Sequence, residues 1–215
     1  MKKNKILVNI ILLIIVLSFV ASLVFYPRLP ENMATHWNAQ GEVDGYTSRF
    51  WGAFLNPLVL LGVTLLLLFI PRIDPLKENI MKFQDFYYGF IVIFCVFMLL
   101  VHLQILLWNV GIKISINLFV PLISGVLFYS AGVLMEKAKR NWFIGIRTPW
   151  TLSSDVVWEK THKIGSVLFK ICGAFAIVGA FFRSYSVYFI IIPLLASSAY
   201  LIFYSYVEFQ KENRK

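Results

Sequence analysis

Residues 141–163 read NWFIGIRTPWTLSSDVVWEKTHK, and the side chains capable of chemistry concentrate there. Three tryptophans (Trp142, Trp150 and Trp158), an Arg147-Thr148-Pro149 turn and His162 fall within these 23 residues. Gly145 frees the backbone and Pro149 fixes it. Ile144 and Ile146 flank the glycine as an apolar pair expected to dip into a membrane interface. The hydroxyls of 151–154 precede Asp155, which suits the positive end of a helix over 156–163. On that helix Asp155, Glu159 and His162 share one face, and Glu159 and Lys163 are spaced for an ion pair. Trp158, four residues before His162, is placed to cover the junction of helix and membrane. Three liganding side chains on one face would suit a metal, but a solvated helix face is the simpler reading. Ser153 and Ser154 read as caps, and no nucleophile–base pair, phosphate-cradling glycine loop or paired carboxylates stand out. Neither an enzyme nor a cofactor is expected.

A second polar stretch, 27–53, reads PRLPENMATHWNAQGEVDGYTSRFWGA. Glu31, His36, Glu42 and Asp44 are metal-ligand types, but the spacing matches no zinc pattern and no second His or Cys completes a set. The expectation is a hydrogen-bonded flap or short hairpin, with Asn38, Gly41 and Asp44 shaping turns and Asp44-Gly45 as a turn signal. Trp37, Tyr46 and Trp51 would rest at the interface. Capture of an extracellular ligand is the functional alternative.

The elements that position these loops follow from composition. Hydrophobic residues make up 59% of the 215-residue chain and charged ones 14%, against roughly 45–50% and about 25% in soluble domains. A bilayer is the natural solvent for such a chain. Six uncharged or nearly uncharged runs, 6–26, 54–70, 86–110, 114–135, 164–182 and 187–207, have the length and apolarity of membrane helices. The fold class expected is therefore an all-α membrane protein, a six-helix transmembrane bundle. The second run is the shortest, ended by Trp51 and Arg72. With the N-terminus inside, fifteen Lys and Arg fall on the cytoplasmic side and four (Arg28, Arg49, Lys113 and Arg183) outside, Lys170 lying within the fifth run. That bias predicts both termini cytoplasmic, 27–53 extracytoplasmic and 136–163 cytoplasmic. The net charge of +9 is spread over short flanks, unlike the clustered face of a nucleic-acid binder, so no direct nucleic-acid contact is expected. Cys95 and Cys172, both inside apolar runs, read as reduced small hydrophobes.

Within the membrane, His102 and Gln104 are conspicuous, because such groups usually face a bundle interior. The apolar runs contain no Asp or Glu, so hydrogen bonding between helices fits His102 better than a proton relay. Lys170 is expected to reach the cytoplasmic interface with its long stem.

The string NWFIGIRTPWTLSSDVVWEKTH resembles the loop of the SdpI family of bacterial membrane proteins, in which an Asn, a Gly-Ile-Arg-Thr-Pro-Trp-Thr run and a later Trp and His recur. LPENMATHWNAQGEVDGYTSR resembles the DUF1648 region that precedes it in many members. The resemblance divides the chain into a DUF1648-like part, 1–72, and an SdpI-like part, 73–215. It implies immunity against a secreted, membrane-active peptide toxin, with signalling through a small cytoplasmic repressor held at the membrane. Asn141, Gly145, Ile146, Arg147, Thr148, Pro149, Trp150, Thr151, Trp158 and His162 match the family loop and become candidates for the cytoplasmic partner or for coupling to it. His36, Asn38, Gly41 and Asp44 match the outer motif and become toxin-facing candidates. The implied location is the bacterial cytoplasmic membrane, with the lipid bilayer as a further partner. Two other classes remain open at this stage. One is a small-solute or ion transporter, which the absence of buried carboxylates disfavours. The other is a membrane enzyme built on Asp155, Glu159 and His162.

Overall fold

The computed structural model describes residues 2–214, with side chains from Asn4 onward. Among them are six long helices: α1 (Lys2–Phe25), α2 (Arg49–Ile73), α4 (Gln84–Asn109), α5 (Ile116–Lys137), α7 (Asp155–Gly179) and α8 (Ser186–Asn213). Two short helices, α3 (Lys77–Met81) and α6 (Pro149–Ser153), lie in connectors, and strands β1 (Asn32–Trp37) and β2 (Val43–Ser48) form an antiparallel hairpin between α1 and α2. Helices satisfy their own backbone groups, which is what hydrocarbon demands. Side chains such as Leu13, Val24, Leu66, Leu195 and Phe203 stay exposed on the outside of the bundle, where lipid accepts them.

Five stretches are long and apolar enough to cross a membrane: Asn4–Arg28, Arg49–Ile73, Gln84–Asn109, Ile116–Lys137 and Asp155–Asn213. The last is 59 residues long and folds back on itself. At Phe182 and Arg183 the backbone leaves the helical region, Arg183 taking φ 48°. Beyond that bend α8 runs antiparallel to α7, so that Cys172 meets Ser197, Lys160 meets Glu208 and Ser154 meets Glu212. The second helix is longer than its apolar run, because Arg49 to Ala53 and Pro71 to Ile73 continue its turns at both ends.

Small residues set the closest helix contact. Gly125 and Gly132 of α5 face Gly173 and Ser166 of α7, and a β-carbon at Gly173 would lie 2.6 Å from the Gly125 carbonyl oxygen and 2.9 Å from the Tyr129 nitrogen. Backbones approach that closely only where side chains are missing. Next to this seam, Lys170 reaches the end of α5 and bonds Glu136 at 2.5 Å.

A buried hydroxyl ties α1, α2 and α4. Ser22 Oγ donates to the Ala53 carbonyl at 2.6 Å and accepts from His102 Nε2 at 2.9 Å. His102 thus bonds between helices, as its setting in an acid-free span suggested. Both cysteines are free and buried.

The hairpin turn is made by residues 38–42, not by Asp44-Gly45. Asn38 Oδ1 accepts from the Gln40 and Glu42 amides at 3.0 Å each, and Gly41 takes φ 83°. Gly45 lies within β2 opposite His36, where a β-carbon would press on the His36 Cβ. The hairpin is docked on the bundle by Asn109, whose amide bonds both the N–H (2.8 Å) and the C=O (2.9 Å) of Ala34, as a neighbouring strand would.

The α5–α7 seam yields a paired prediction. Gly173→Ala is expected to cost about 1–3 kcal/mol by overpacking against backbone. Gly62→Ala in α2, where an added β-carbon meets nothing within 4 Å, is expected to be neutral or slightly stabilising. Thermal unfolding of the two variants in detergent measures the difference.

Candidate functional site

At the junction of α5 and α7 the polar loop closes into a knot with few free backbone groups. Asn141 is fully buried and its side chain makes four bonds. Its Oδ1 accepts from the amides of Phe143 (2.9 Å) and Ile144 (2.6 Å), and its Nδ2 donates to the carbonyls of Lys139 (2.8 Å) and Ile144 (3.0 Å). One amide side chain therefore takes the place of an element's backbone ladder.

The second centre of the knot is His162. The Ile146 N–H donates to His162 Nε2 at 3.0 Å, so the ring proton resides on Nδ1 and is donated to the Trp158 carbonyl at 2.9 Å. Trp158 stacks on the imidazole at 3.9 Å between centroids, and its Nε1–H donates to the Ala138 carbonyl at 2.9 Å. Gly145, at φ 104°, passes directly over the ring, and a β-carbon there would collide with His162 Nε2. The glycine is required twice, by the left-handed φ and by the close approach.

Downstream, Thr148 caps α6 in a capping box with Thr151, whose Oγ1 also donates to the Ile146 carbonyl at 2.8 Å. Thr148 Oγ1 meets Ser205 Oγ of α8 at 3.0 Å, and Trp150 packs on Tyr206. Ser154 caps α7, accepting from the Val157 amide.

Of the loop residues singled out in the sequence, Asn141, Thr148, Thr151, Trp158 and His162 are buried, Ile146 and Trp150 half-buried, and Gly145, Arg147 and Pro149 exposed. Arg147 points outward, donating to the Trp142 carbonyl at 3.1 Å. Several expectations change. Ile144 is in the core beside Ile70, Ile80 and Trp158 and does not dip into an interface, because Asn141 turns the chain inward there. Trp158 is likewise core and does not cover the helix–membrane junction. Asp155, Glu159 and His162 share no ligand-binding face. Asp155 pairs with Arg140 at 2.6 Å, Glu159 with Lys139 at 2.8 Å, and His162 turns into the knot. Glu159 takes Lys139 in place of Lys163, since the end of α5 brings that ammonium group beside it.

Two residues that sequence reasoning missed complete the site. Asp74, buried in the connector after α2, accepts from the Trp142 amide at 2.9 Å and from the Leu76 amide at 2.6 Å. Asn79 of α3 donates to the Arg140 carbonyl at 2.9 Å. The Asp74-Pro75 pair was the available signal, a turn-initiating dipeptide directly after a helix.

The outer candidates come together at the other end of α2. His36 and Asp44 form an exposed cross-strand pair at 2.5 Å, and Asn38 and Gly41 make the turn beyond it. An exposed pair of this kind contributes only about 0–1 kcal/mol to stability.

The knot predicts a sharp response to an isosteric change. Asn141→Asp replaces two N–H donors with oxygen facing two carbonyls, which should destabilise the loop by about 1–3 kcal/mol. Tryptic cleavage after Lys139, Arg140 and Arg147 is expected to accelerate in that variant, whereas Arg140 and Lys139 in the Trp142→Ala protein should be cut at the wild-type rate.

Comparison with known proteins agrees with this two-ended organisation. Residues 13–61 match a domain of unknown function (DUF1648), and residues 137–205 match the SdpI/YfhL protein family. The chain is 29% identical over 195 residues to "Immunity protein SdpI" of Bacillus subtilis (strain 168), covering 91% of this chain and 89% of that protein. No solved structure matches. The hairpin falls within the first matched region and the knot within the second.

Proposed function

We propose that this protein confers resistance to a secreted, membrane-active peptide toxin and reports the toxin's presence to a cytoplasmic repressor. The observation that carries the reading is the path of α2. This helix leaves the hairpin at Ser48 and ends at Asp74, whose carboxylate holds the Trp142 amide of the knot. Its 25 residues span about 37 Å. One continuous helix thus connects the two polar ends of the bundle.

In this reading all six long helices cross the bacterial cytoplasmic membrane and both termini are cytoplasmic, as the fifteen-to-four distribution of basic residues favours. The hairpin, with His36, Asn38, Gly41 and Asp44, faces the toxin. The knot faces the cytoplasm, where Trp142, Phe143 and Arg147 are exposed side by side. Aromatic and Arg side chains of this kind are the groups that anchor protein interfaces, and an acidic patch on the repressor would complement the basic loop. The partition into a DUF1648-like part, 1–72, and an SdpI-like part, 73–215, then places the α2–knot contact at the boundary between sensing and reporting. Toxin binding shifts the bundle between two packings only if it binds them with different affinity. The role in this reading is binding and coupling, in keeping with a relative that is named an immunity protein.

Survival of a toxin-sensitive strain expressing the chain, challenged with the sporulation-delaying peptide, the secreted membrane-active toxin that the family resemblance implies, tests the reading. The wild type is expected to protect. Arg147→Ala, at equal membrane level, should keep protection and lose induction of a repressor-controlled reporter, and His36→Ala should lower protection. No protection by the wild type would remove this toxin from the account.

A further inference from the structure

A cavity of about 340 Å³ lies beneath the hairpin, between it and α4, α5 and α8. That is within the range of small-ligand pockets. Ile105 of α4, Val120 of α5 and Ile190 of α8 give it apolar walls, and the hairpin supplies Trp37. Two N–H donors on its lining residues are buried and lack a hydrogen-bond partner among the described residues, Gln104 Nε2 and Trp37 Nε1. The Gln104 side chain is 3% exposed. An unpaired donor in an apolar setting is costly, and native proteins keep few of them. Here both donors belong to side chains that line the same cavity, and a small rotation of either side chain would turn its N–H into it.

We infer that this cavity takes an apolar segment of the peptide toxin, one whose backbone carbonyls accept hydrogen bonds from Gln104 Nε2 and Trp37 Nε1. The inference rests on the immunity reading and adds the place where the peptide is held. The chemistry selects the ligand. A phosphate-bearing headgroup would call for cations, and the lining has no Lys or Arg. A lipid acyl chain would fill the apolar walls but leave both donors unpaired. A hydrophobic peptide satisfies walls and donors together. The hairpin also suits this role, since it is fastened to α4 by Asn109 and to α5 by Asn117, whose Nδ2 donates to the Ala39 carbonyl at 3.3 Å. A peptide seated between these elements would press on the same hairpin from which α2 departs.

The test measures binding of the sporulation-delaying peptide to the full chain in nanodiscs of phosphatidylethanolamine and phosphatidylglycerol. Gln104→Leu keeps the side-chain bulk and removes the donor, and is expected to weaken binding about tenfold. Its melting temperature should be unchanged or higher, because an unpaired buried amide has been removed. A merely structural Gln104 would lower it. Val120→Trp, which fills the cavity, should abolish binding. Wild-type binding that both variants retain would overturn the cavity assignment and leave the immunity reading standing. A phospholipid that co-purifies with the wild type and is lost from Val120→Trp, with peptide affinity unchanged, would overturn it in favour of a lipid site. Absence of any peptide binding by the wild type would overturn both.

Discussion

A loop that folds back onto its own helices has to satisfy the backbone groups it buries there, with no neighbouring strand available. In this protein the Ile146 amide does so by donating to the imidazole of His162 sixteen residues later. The bond sets several other features at once. It fixes the tautomer, and so places the one ring proton on Nδ1, which donates it to the Trp158 carbonyl. It brings the chain so close to the ring that position 145 must be glycine. It also holds the loop against α7, so that Thr148 reaches Ser205 of α8. Asn141 performs the corresponding task at the upstream end, closing residues 139–144 with a single buried amide. The resulting structure is a rigid polar cap on the bundle, with Trp142, Phe143 and Arg147 left on its surface.

Rigidity at this end gives the α2 connection its meaning. In the proposed coupling a soft loop would absorb a displacement of Asp74, whereas a loop whose amides and carbonyls are already committed would pass it on. The opposite end is built with similar economy. Asn38 closes the hairpin turn, Asn109 pairs with β1, and the Ser22–His102 contact joins α1, α2 and α4 just below. In both places short amide side chains stand in for backbone partners.

Much of this organisation was legible in the sequence, for a physical reason. Uncharged runs of membrane length declare themselves without tertiary information, and the six long helices coincide with them to within a few residues at most ends. The start of α7 at Asp155 was also readable, since Ser154 caps it and Asp155 suits its first turn. Other features depend on contacts across the fold. Nothing in the local sequence joins Asp74 to Trp142 or Lys139 to Glu159, because those partners meet only when α2, α5 and α7 have packed. At the hairpin turn Asn38 and Gly41 fall where expected, and only Asp44-Gly45 does not, for the converse reason. Asp44-Gly45 is a good local turn signal, but Asn38 offers two amide acceptances and Gly41 the required positive φ, and Gly45 is needed in β2 to clear His36.

Hydrogen exchange of the full chain in nanodiscs, with and without the sporulation-delaying peptide, tests the central claim most directly. The account predicts that the Trp142, Ile144 and Ile146 amides are strongly protected in the free protein, and that peptide bound on the hairpin side changes the protection of Trp142, the amide held by Asp74. Loop amides that exchange as freely as an unstructured connector would contradict the knot. Peptide binding that leaves Trp142 unchanged would contradict the coupling through α2.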